Sequence, residues 1–259
     1  MPPHPKIHSA LTELLKERDC SFESLLALSF PSHFAPALRS EFDTTFASMK
    51  NPHKISPSAP VIAKNLLGLG AVQLDPDFGF TWSSGIKSPI YCDNRKINSN
   101  VEARKIVVNA FVDLITKEFP DAEIIAGVAT GGIPFGILIA DRMNLPFIYV
   151  RQEPKGHGLM KQVEGAYNAG DKIVVIEDLI STGGSSFKAV QGLRNEDLDI
   201  LGLVSVMTYG FKAATELFEK ENVNQWSLCD LDTIVEVACE TNRIGLKDKE
   251  VLLEFKNSH

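Results

Sequence analysis

The sequence predicts an α/β fold, a parallel sheet flanked by helices, with an extra helical segment at its N-terminus. Three observations predict it. Short apolar runs of strand length recur between 124 and 206, and helical stretches separate them. These runs are apolar at nearly every position, the pattern of strands buried on both faces. Two of them lead through Gly-rich turns, at Thr130-Gly-Gly132 and Thr182-Gly-Gly184, into helices.

The elements follow in order. Residues 1–57 read as a helical extension: Ile7, Leu11, Leu14 and Leu15 form one stripe, and Phe34, Leu38, Phe42 and Phe46 recur at every fourth position. Pro31 and Asn51-Pro52 interrupt it, and Lys54-Ile-Ser-Pro-Ser-Ala-Pro60 reads as a linker. A second unit, 58–259, begins near Ser58. Pro60 suits the first turn of a helix through Val61, Ile62, Leu66 and Leu67, which Gly68 and Gly70 stop. Residues 101–118 form a second helix. Ile124-Ile-Ala-Gly-Val-Ala129 is a strand, followed by a helix to Met143 and a strand over 146–150. Lys172-Ile-Val-Val-Ile176 is a strand that ends in Glu177-Asp178, then a loop and a helix to Arg194; 201–206 is a further strand. The four histidines of the extension, His4, His8, His33 and His53, lack metal-ligand spacing.

Composition narrows the function. The 259 residues are 44% hydrophobic and 23% charged, which is soluble globular usage. Against 33 acids stand 26 Lys and Arg, a net charge of −7, which excludes a broad nucleic-acid surface. No apolar run reaches the ~20 residues of a membrane span. Cys20, Cys92, Cys229 and Cys239 form no CxxC pair, which suits a reduced, cytoplasmic chain.

Ligands of parallel α/β sheets gather at the carboxyl ends of the strands, beside helix N-termini. Here Val174-Val-Ile-Glu-Asp-Leu-Ile-Ser-Thr-Gly-Gly-Ser185 places two acids at a buried strand end and a Gly/Ser loop before a helix. Glycines let backbone N–H groups approach a phosphate, and Ser181, Thr182 and Ser185 add donors. The acids Glu177 and Asp178 can accept hydrogen bonds from sugar hydroxyls. A P-loop Lys and a GxGxxG fingerprint are both missing. A second feature is the stretch 151–170, about 20 residues without apolar periodicity. It carries Arg151, Lys155, His157 and Lys161 among glycines, which suits a lid closing on a polyanion.

The Glu177–Ser185 string resembles the 5-phosphoribosyl-1-diphosphate (PRPP) signature of type I phosphoribosyltransferases. Phe80-Thr-Trp-Ser-Ser-Gly-Ile-Lys-Ser-Pro-Ile-Tyr-Cys-Asp-Asn-Arg95 resembles the N-terminal motif of orotate phosphoribosyltransferases. Ala126-Gly-Val-Ala-Thr-Gly-Gly-Ile-Pro134 and Tyr149-Val-Arg-Gln-Glu-Pro-Lys-Gly-His-Gly158 are similar to that family too. The resemblance covers 58–259 and not the extension. It implies a type I phosphoribosyltransferase fold with a small hood, from 58–120 and the C-terminal part, over a PRPP-binding core at about 121–210. The implied reaction is orotate + PRPP → orotidine 5′-monophosphate + pyrophosphate, with Mg²⁺ held mainly by PRPP and water.

The resemblance also implies residue roles. Lys155, His157 and Asp178 are the catalytic candidates. PRPP binding falls to Lys87, Arg151, Lys155, His157, Glu177, Asp178, Leu179, Ile180, Ser181, Thr182, Gly183, Gly184 and Ser185. Orotate binding falls to Arg95 and Ser181. A homodimer is implied, with lid residues 151–170 completing the neighbour's site. The chain departs from the family pattern at Gln152 and Gly131, where some members carry basic residues. It departs again after Val206, where Met207-Thr-Tyr-Gly-Phe-Lys212 replaces a segment that carries an Arg in some members. Two rival readings remain: a phosphoribosyltransferase for another base, and a non-catalytic PRPP or nucleotide sensor on the same fold. Lys155 and His157, the net acidity and the Phe80–Arg95 motif oppose them. The extension is read as interface packing or a docking element.

Overall fold

Alternate residues along the central strands feed two separate apolar clusters, because successive side chains of a strand point to opposite faces. Ile125, Val174, Ile176, Val204 and Val206 join one cluster; Ala126, Ile173, Val175 and Leu203 join the other. The computed structural model describes residues 54–82, 85–151 and 162–259. The helical reading of the extension therefore lies almost wholly outside the described residues, as do Gln152, Lys155, His157 and Lys161.

Seven strands form the central sheet: β1 (Lys54–Ile55), β6 (Ile124–Val128), β7 (Phe147–Val150), β8 (Val163–Glu164), β9 (Lys172–Ile180), β10 (Asp199–Thr208) and β11 (Gln225–Asp230). Their order is β1-β11-β10-β9-β6-β7-β8, parallel from β11 through β7, with β8 antiparallel on β7. One face carries α1 (Ala59–Gly68), α2 (Val101–Glu118), α3 (Gly132–Met143), α6 (Leu231–Glu240) and α7 (Leu246–Asn257). The other carries α4 (Gly184–Arg194) and α5 (Lys212–Lys220). Between α1 and α2 lie two small antiparallel ladders, β2 (Val72–Leu74) with β5 (Ile90–Cys92) and β3 (Phe80–Thr81) with β4 (Lys87–Ser88). A 3₁₀ turn, Asn94–Ser99, then leads into α2.

Local chemistry sets the boundaries. The Asn100 side chain accepts from the Ala103 N–H at 3.0 Å and caps α2, and Asp230 caps α6 by accepting from the Thr233 N–H at 2.9 Å. Asn144 ends α3 in the left-handed conformation, φ 54°. The helix after Pro60 and the helix over 101–118 form as the sequence predicts.

Four readings change. Lys54–Ile55, read as part of a linker, is a strand that joins the sheet beside β11. The strand expected to stop at Ile176 continues to Ile180, because β10 runs to Thr208 and pairs Leu179 with Met207 and Ile180 with Thr208. Glu177 and Asp178 therefore sit within a strand and not at its tip. The expected strand over 201–206 is longer, Asp199–Thr208. Within the stretch 151–170, Val163 is buried and pairs with Val150, so this stretch contributes an edge strand to the sheet.

Candidate active site

The site is built where β9 outruns β6. Pairing of β6 with β9 ends at Gly127 and Ile176, while β10 continues beside β9 to Ile180. Past that point the Asp178 backbone is held by two side chains. Its N–H donates to Glu177 Oε1 at 3.0 Å, and its carbonyl accepts from Asn94 Nδ2 at 2.7 Å. The second Glu177 oxygen, Oε2, accepts from the Ser186 hydroxyl at 3.0 Å. Glu177 is only 5% exposed, whereas Asp178 is half-buried. Burial, reinforced by the neighbouring Asp178 charge, raises the Glu177 carboxyl well above the usual range; the Asp178 N–H and Ser186 partly oppose this.

Beyond Ile180 the chain turns through Ser181, Thr182 and Gly183 into α4. Gly183 has φ +80°, and a Cβ there would lie 3.0 Å from Phe218 Cζ, so both backbone and space select glycine. No side chain caps α4, which leaves its first N–H groups facing outward beside exposed Thr182, Gly184 and Ser185. Leu179 is half-buried and Ile180 buried, so these two contribute backbone and packing to the turn.

The turn from β6 into α3 supplies the opposite wall. Gly131 lies directly under the Asp178 carboxylate, and a Cβ at 131 would occupy that carboxylate's space. A Cβ at Gly132 would collide with the Ile176 carbonyl. A side chain at 131 would require the Asp178 carboxylate to shift.

Two further candidates lie on other parts of the chain, and only the second is linked to Asp178. Lys87 is exposed on β4, paired in register with Thr81 on β3. The hairpin is fixed by Trp82, which stacks on Tyr209 at 4.9 Å and donates from Nε1 to the Ile90 carbonyl at 3.0 Å. Tyr209 is buried, as are Met207 and Thr208, so the segment after Val206 packs against the hairpin instead of presenting a cation. Lys212, further on, pairs with Glu216 at 3.4 Å. The second, Arg95, follows Asn94 in the 3₁₀ turn; its side chain is 66% exposed and its Nε donates to Asp93 Oδ1 at 2.6 Å. That hydrogen bond, the largest cause, lowers the Asp93 carboxyl below its ordinary value.

At the mouth of the stretch outside the described residues, Arg151 and Gln162 bond each other. Arg151 N–H donates to the Gln162 carbonyl at 3.0 Å, and Gln162 Nε2 donates to the Arg151 carbonyl at 2.6 Å. The Gln162 amide rests against Gly192 of α4, where a Cβ would meet it at 2.6 Å. Arg151 Nη1 lies 3.8 Å from Glu164 Oε1.

Sequence reasoning singled out Glu177, Asp178 and 181–185, which are brought together here, and Arg95, which is attached through Asn94. It missed Asn94, Ser186 and Gln162. Ser186 directly follows the singled-out string and could have been found as a partner for a buried acid. Asn94 and Gln162 bond across 84 and 11 residues, distances that no local pattern reports.

Comparison with known proteins identifies the family. The phosphoribosyl transferase domain family matches residues 98–239. Orotate phosphoribosyltransferase of Bacillus subtilis (strain 168) is 49% identical over 198 residues, 76% of this chain and 92% of that protein. The enzyme of the same name from Porphyromonas gingivalis is 47% identical over 76% of this chain and 94% of its own. Among solved structures, orotate phosphoribosyltransferase from Aeropyrum pernix superposes with a TM-score of 0.62 at 31% identity, over 71% of this chain and 99% of that one. Leishmania donovani UMP synthase shares the fold, with a TM-score of 0.66 at 24% identity; 89% of this chain aligns with 47% of that protein, so the chain spans just under half its length.

Proposed function

From the premise that this chain belongs to the orotate phosphoribosyltransferase family, we propose how its residues divide the work of that family's reaction. The enzyme transfers the 5-phosphoribosyl group of PRPP to orotate, giving orotidine 5′-monophosphate and pyrophosphate in de novo pyrimidine (UMP) synthesis. One observation carries the residue assignments: the segment 177–185 runs from a buried strand, through an αL glycine, into an uncapped helix N-terminus.

The N–H groups of 183–185 and the hydroxyls of Ser181, Thr182 and Ser185 hold the 5′-phosphate, aided by the helix dipole. Leu179 and Ile180 carry the chain into that turn. Asp178 accepts from the ribose hydroxyls. Glu177, assigned to the ribose with it by resemblance, supports Asp178 from beneath, since both its oxygens are engaged by the Asp178 N–H and Ser186. Lys155 and His157 neutralise the departing pyrophosphate, with Arg151 and Lys87 as further cations on PRPP. As the glycosidic bond breaks, the ribose carbon takes on oxocarbenium character, so charge on the leaving group is what must be stabilised. Arg95 and Ser181 orient orotate so that its nitrogen faces that carbon.

The donor set suits Mg²⁺ bound mainly through PRPP oxygens and water. Asp178 is the half-exposed carboxylate at the cradle. When bound, the ion would neutralise charge on the diphosphate.

The enzyme works as a cytoplasmic homodimer in which 151–170 of one subunit completes the other's site. Among the described residues no helix is long and apolar enough to cross a membrane, and Cys92, Cys229 and Cys239 are free thiols.

The test is orotate consumption and pyrophosphate release with PRPP and Mg²⁺, beside uracil, hypoxanthine and adenine. Turnover of orotate alone, abolished in Lys155→Ala, is the expected result. Turnover of another base, or PRPP binding without any turnover, would overturn the reading. Mixed Lys155→Ala and Asp178→Ala subunits should regain activity if the loop crosses between subunits, and remain inactive if it does not.

A further inference from the structure

We infer that Asn94 is a positioning residue that locks the orotate-side turn to the ribose-side strand, setting where Arg95 stands relative to Asp178. The inference rests on the assignment of Arg95 to orotate and Asp178 to ribose, and it adds what holds the two in register.

Asn94 opens the 3₁₀ turn Asn94–Ser99 and is 1% exposed. A buried amide is costly unless its donors and acceptor find partners. Its Nδ2 donates to the Asp178 carbonyl at 2.7 Å, and its Oδ1 accepts from Cys92 Sγ at 3.3 Å. The two contacts fix one orientation of the amide, because the reverse would set its oxygen against a carbonyl. Burial pushes the Cys92 thiol up, so it keeps its proton and remains a donor.

The carbonyl that Asn94 reaches lies past the last β6–β9 pair, Gly127 with Ile176. A residue from the turn thus takes up an edge of β9 that β6 no longer covers. On the other side of the Asp178 Cα the linkage continues: Asp178 N–H to Glu177, and Glu177 to Ser186 in the first turn of α4. The turn that carries the base reader and the helix that opens the phosphate cradle are therefore joined by one chain of hydrogen bonds. Arg95, the next residue after Asn94, is held on its other side by Asp93 at 2.6 Å. Neither Asn94 nor its partner atom touches orotate in this scheme. The residue acts through Arg95, with the Asp178 backbone carbonyl as its anchor.

The isosteric substitution Asn94→Asp removes the donor while keeping the shape. It should lower kcat/KM for orotate about tenfold, the worth of one hydrogen bond. KM for PRPP should stay within about threefold, since the Glu177–Ser186 link to the cradle is untouched. In an Arg95→Lys background the same substitution should change orotate KM less than about twofold, because both act through one turn. Asn94→Ala, which introduces no buried charge, should reproduce the orotate effect. Equal losses for orotate and PRPP, multiplying effects in the double variant, or a fall in thermal stability with unchanged kinetics would each overturn the inference. Wild-type chain that consumes no orotate would overturn the parent reading as well. Wild-type turnover with an indifferent Asn94→Asp overturns this inference alone.

Discussion

The cradle at 177–186 and the turn at 93–95 meet at one residue, Asp178, yet they are made in opposite ways. The cradle is one continuous stretch: buried strand, αL glycine, helix, with Glu177 bonded to residues one and nine positions away. The turn depends on a bond across 84 residues, and Arg95 is largely exposed. The cradle is therefore specified largely by local sequence, while the turn is placed by tertiary contact. In such a design the shared substrate arm, the ribose phosphate, is bound by the local part. The base is bound by the part that can vary without rebuilding the sheet.

If that contrast is right, the largest losses lie in the cradle. Asp178→Asn should lower kcat/KM for PRPP by about 30–100-fold, the worth of charge-assisted hydrogen bonds to the ribose, with thermal stability nearly unchanged. An equal or larger effect on orotate alone would break the contrast by moving Asp178 to the base side. Gly183→Ala comes next. Its φ of +80° and the 3.0 Å approach to Phe218 Cζ strain any side chain. KM for PRPP should rise about tenfold, and stability should fall by about 1 kcal/mol or more, as steady-state kinetics and thermal unfolding would register.

Glu177 sharpens the comparison further, because it tests whether a cradle acid can be structural. Gln can accept from the Asp178 N–H through its oxygen and donate to Ser186 through its amide, so Glu177→Gln should keep KM for PRPP within about threefold. A loss matching that of Asp178→Asn would return Glu177 to the ribose. The pH dependence follows from the raised carboxyl. The folded chain holds this proton more tightly than the unfolded chain, so the stabilisation is complete below the ordinary Glu value of about 4.3. It is lost as pH rises from there through the higher folded-state value. The Tm difference, Glu177→Gln minus wild type, should therefore increase as pH rises above the ordinary Glu value. A constant difference would mean that burial does not govern this group.

The same contrast explains what could be read without a structure. The strands β6, β7, β9 and β10 and helices α2, α3 and α4 declare themselves through long apolar runs and Gly-rich turns. The hairpin β3–β4 and edge strand β8 have two residues per strand, too few to show any period. β11 shows no strand pattern in the sequence because Gln225, Ser227 and Asp230 are buried polar residues in it. Ser227 Oγ lies 2.6 Å from Ser205 Oγ and accepts from Gln225 Nε2 at 2.7 Å, so their polarity is satisfied inside the sheet. The end of β9 was misjudged for a related reason: a strand stops where its neighbours stop, and that is a property of β10. Of the site, the cradle was legible because its chemistry is contiguous. Asn94 was not, because its partner is a backbone carbonyl, which every residue has.

The turn should respond more weakly than Asp178 and Gly183 of the cradle. Arg95→Lys keeps the charge but loses the planar fork that can hold a carboxylate through two parallel bonds. Because Arg95 is 66% exposed and already engaged by Asp93 at 2.6 Å, solvent and the resident carboxylate both dilute what it offers orotate. KM for orotate should rise about threefold to tenfold, with kcat and KM for PRPP close to wild type. Asp93→Asn separates the two influences: by releasing the guanidinium, it should lower orotate KM in the wild-type background and do nothing in Arg95→Lys. A rise in PRPP KM for either variant would show the turn to be part of the cradle, and the division between a locally built sugar site and a remotely placed base site would fail there.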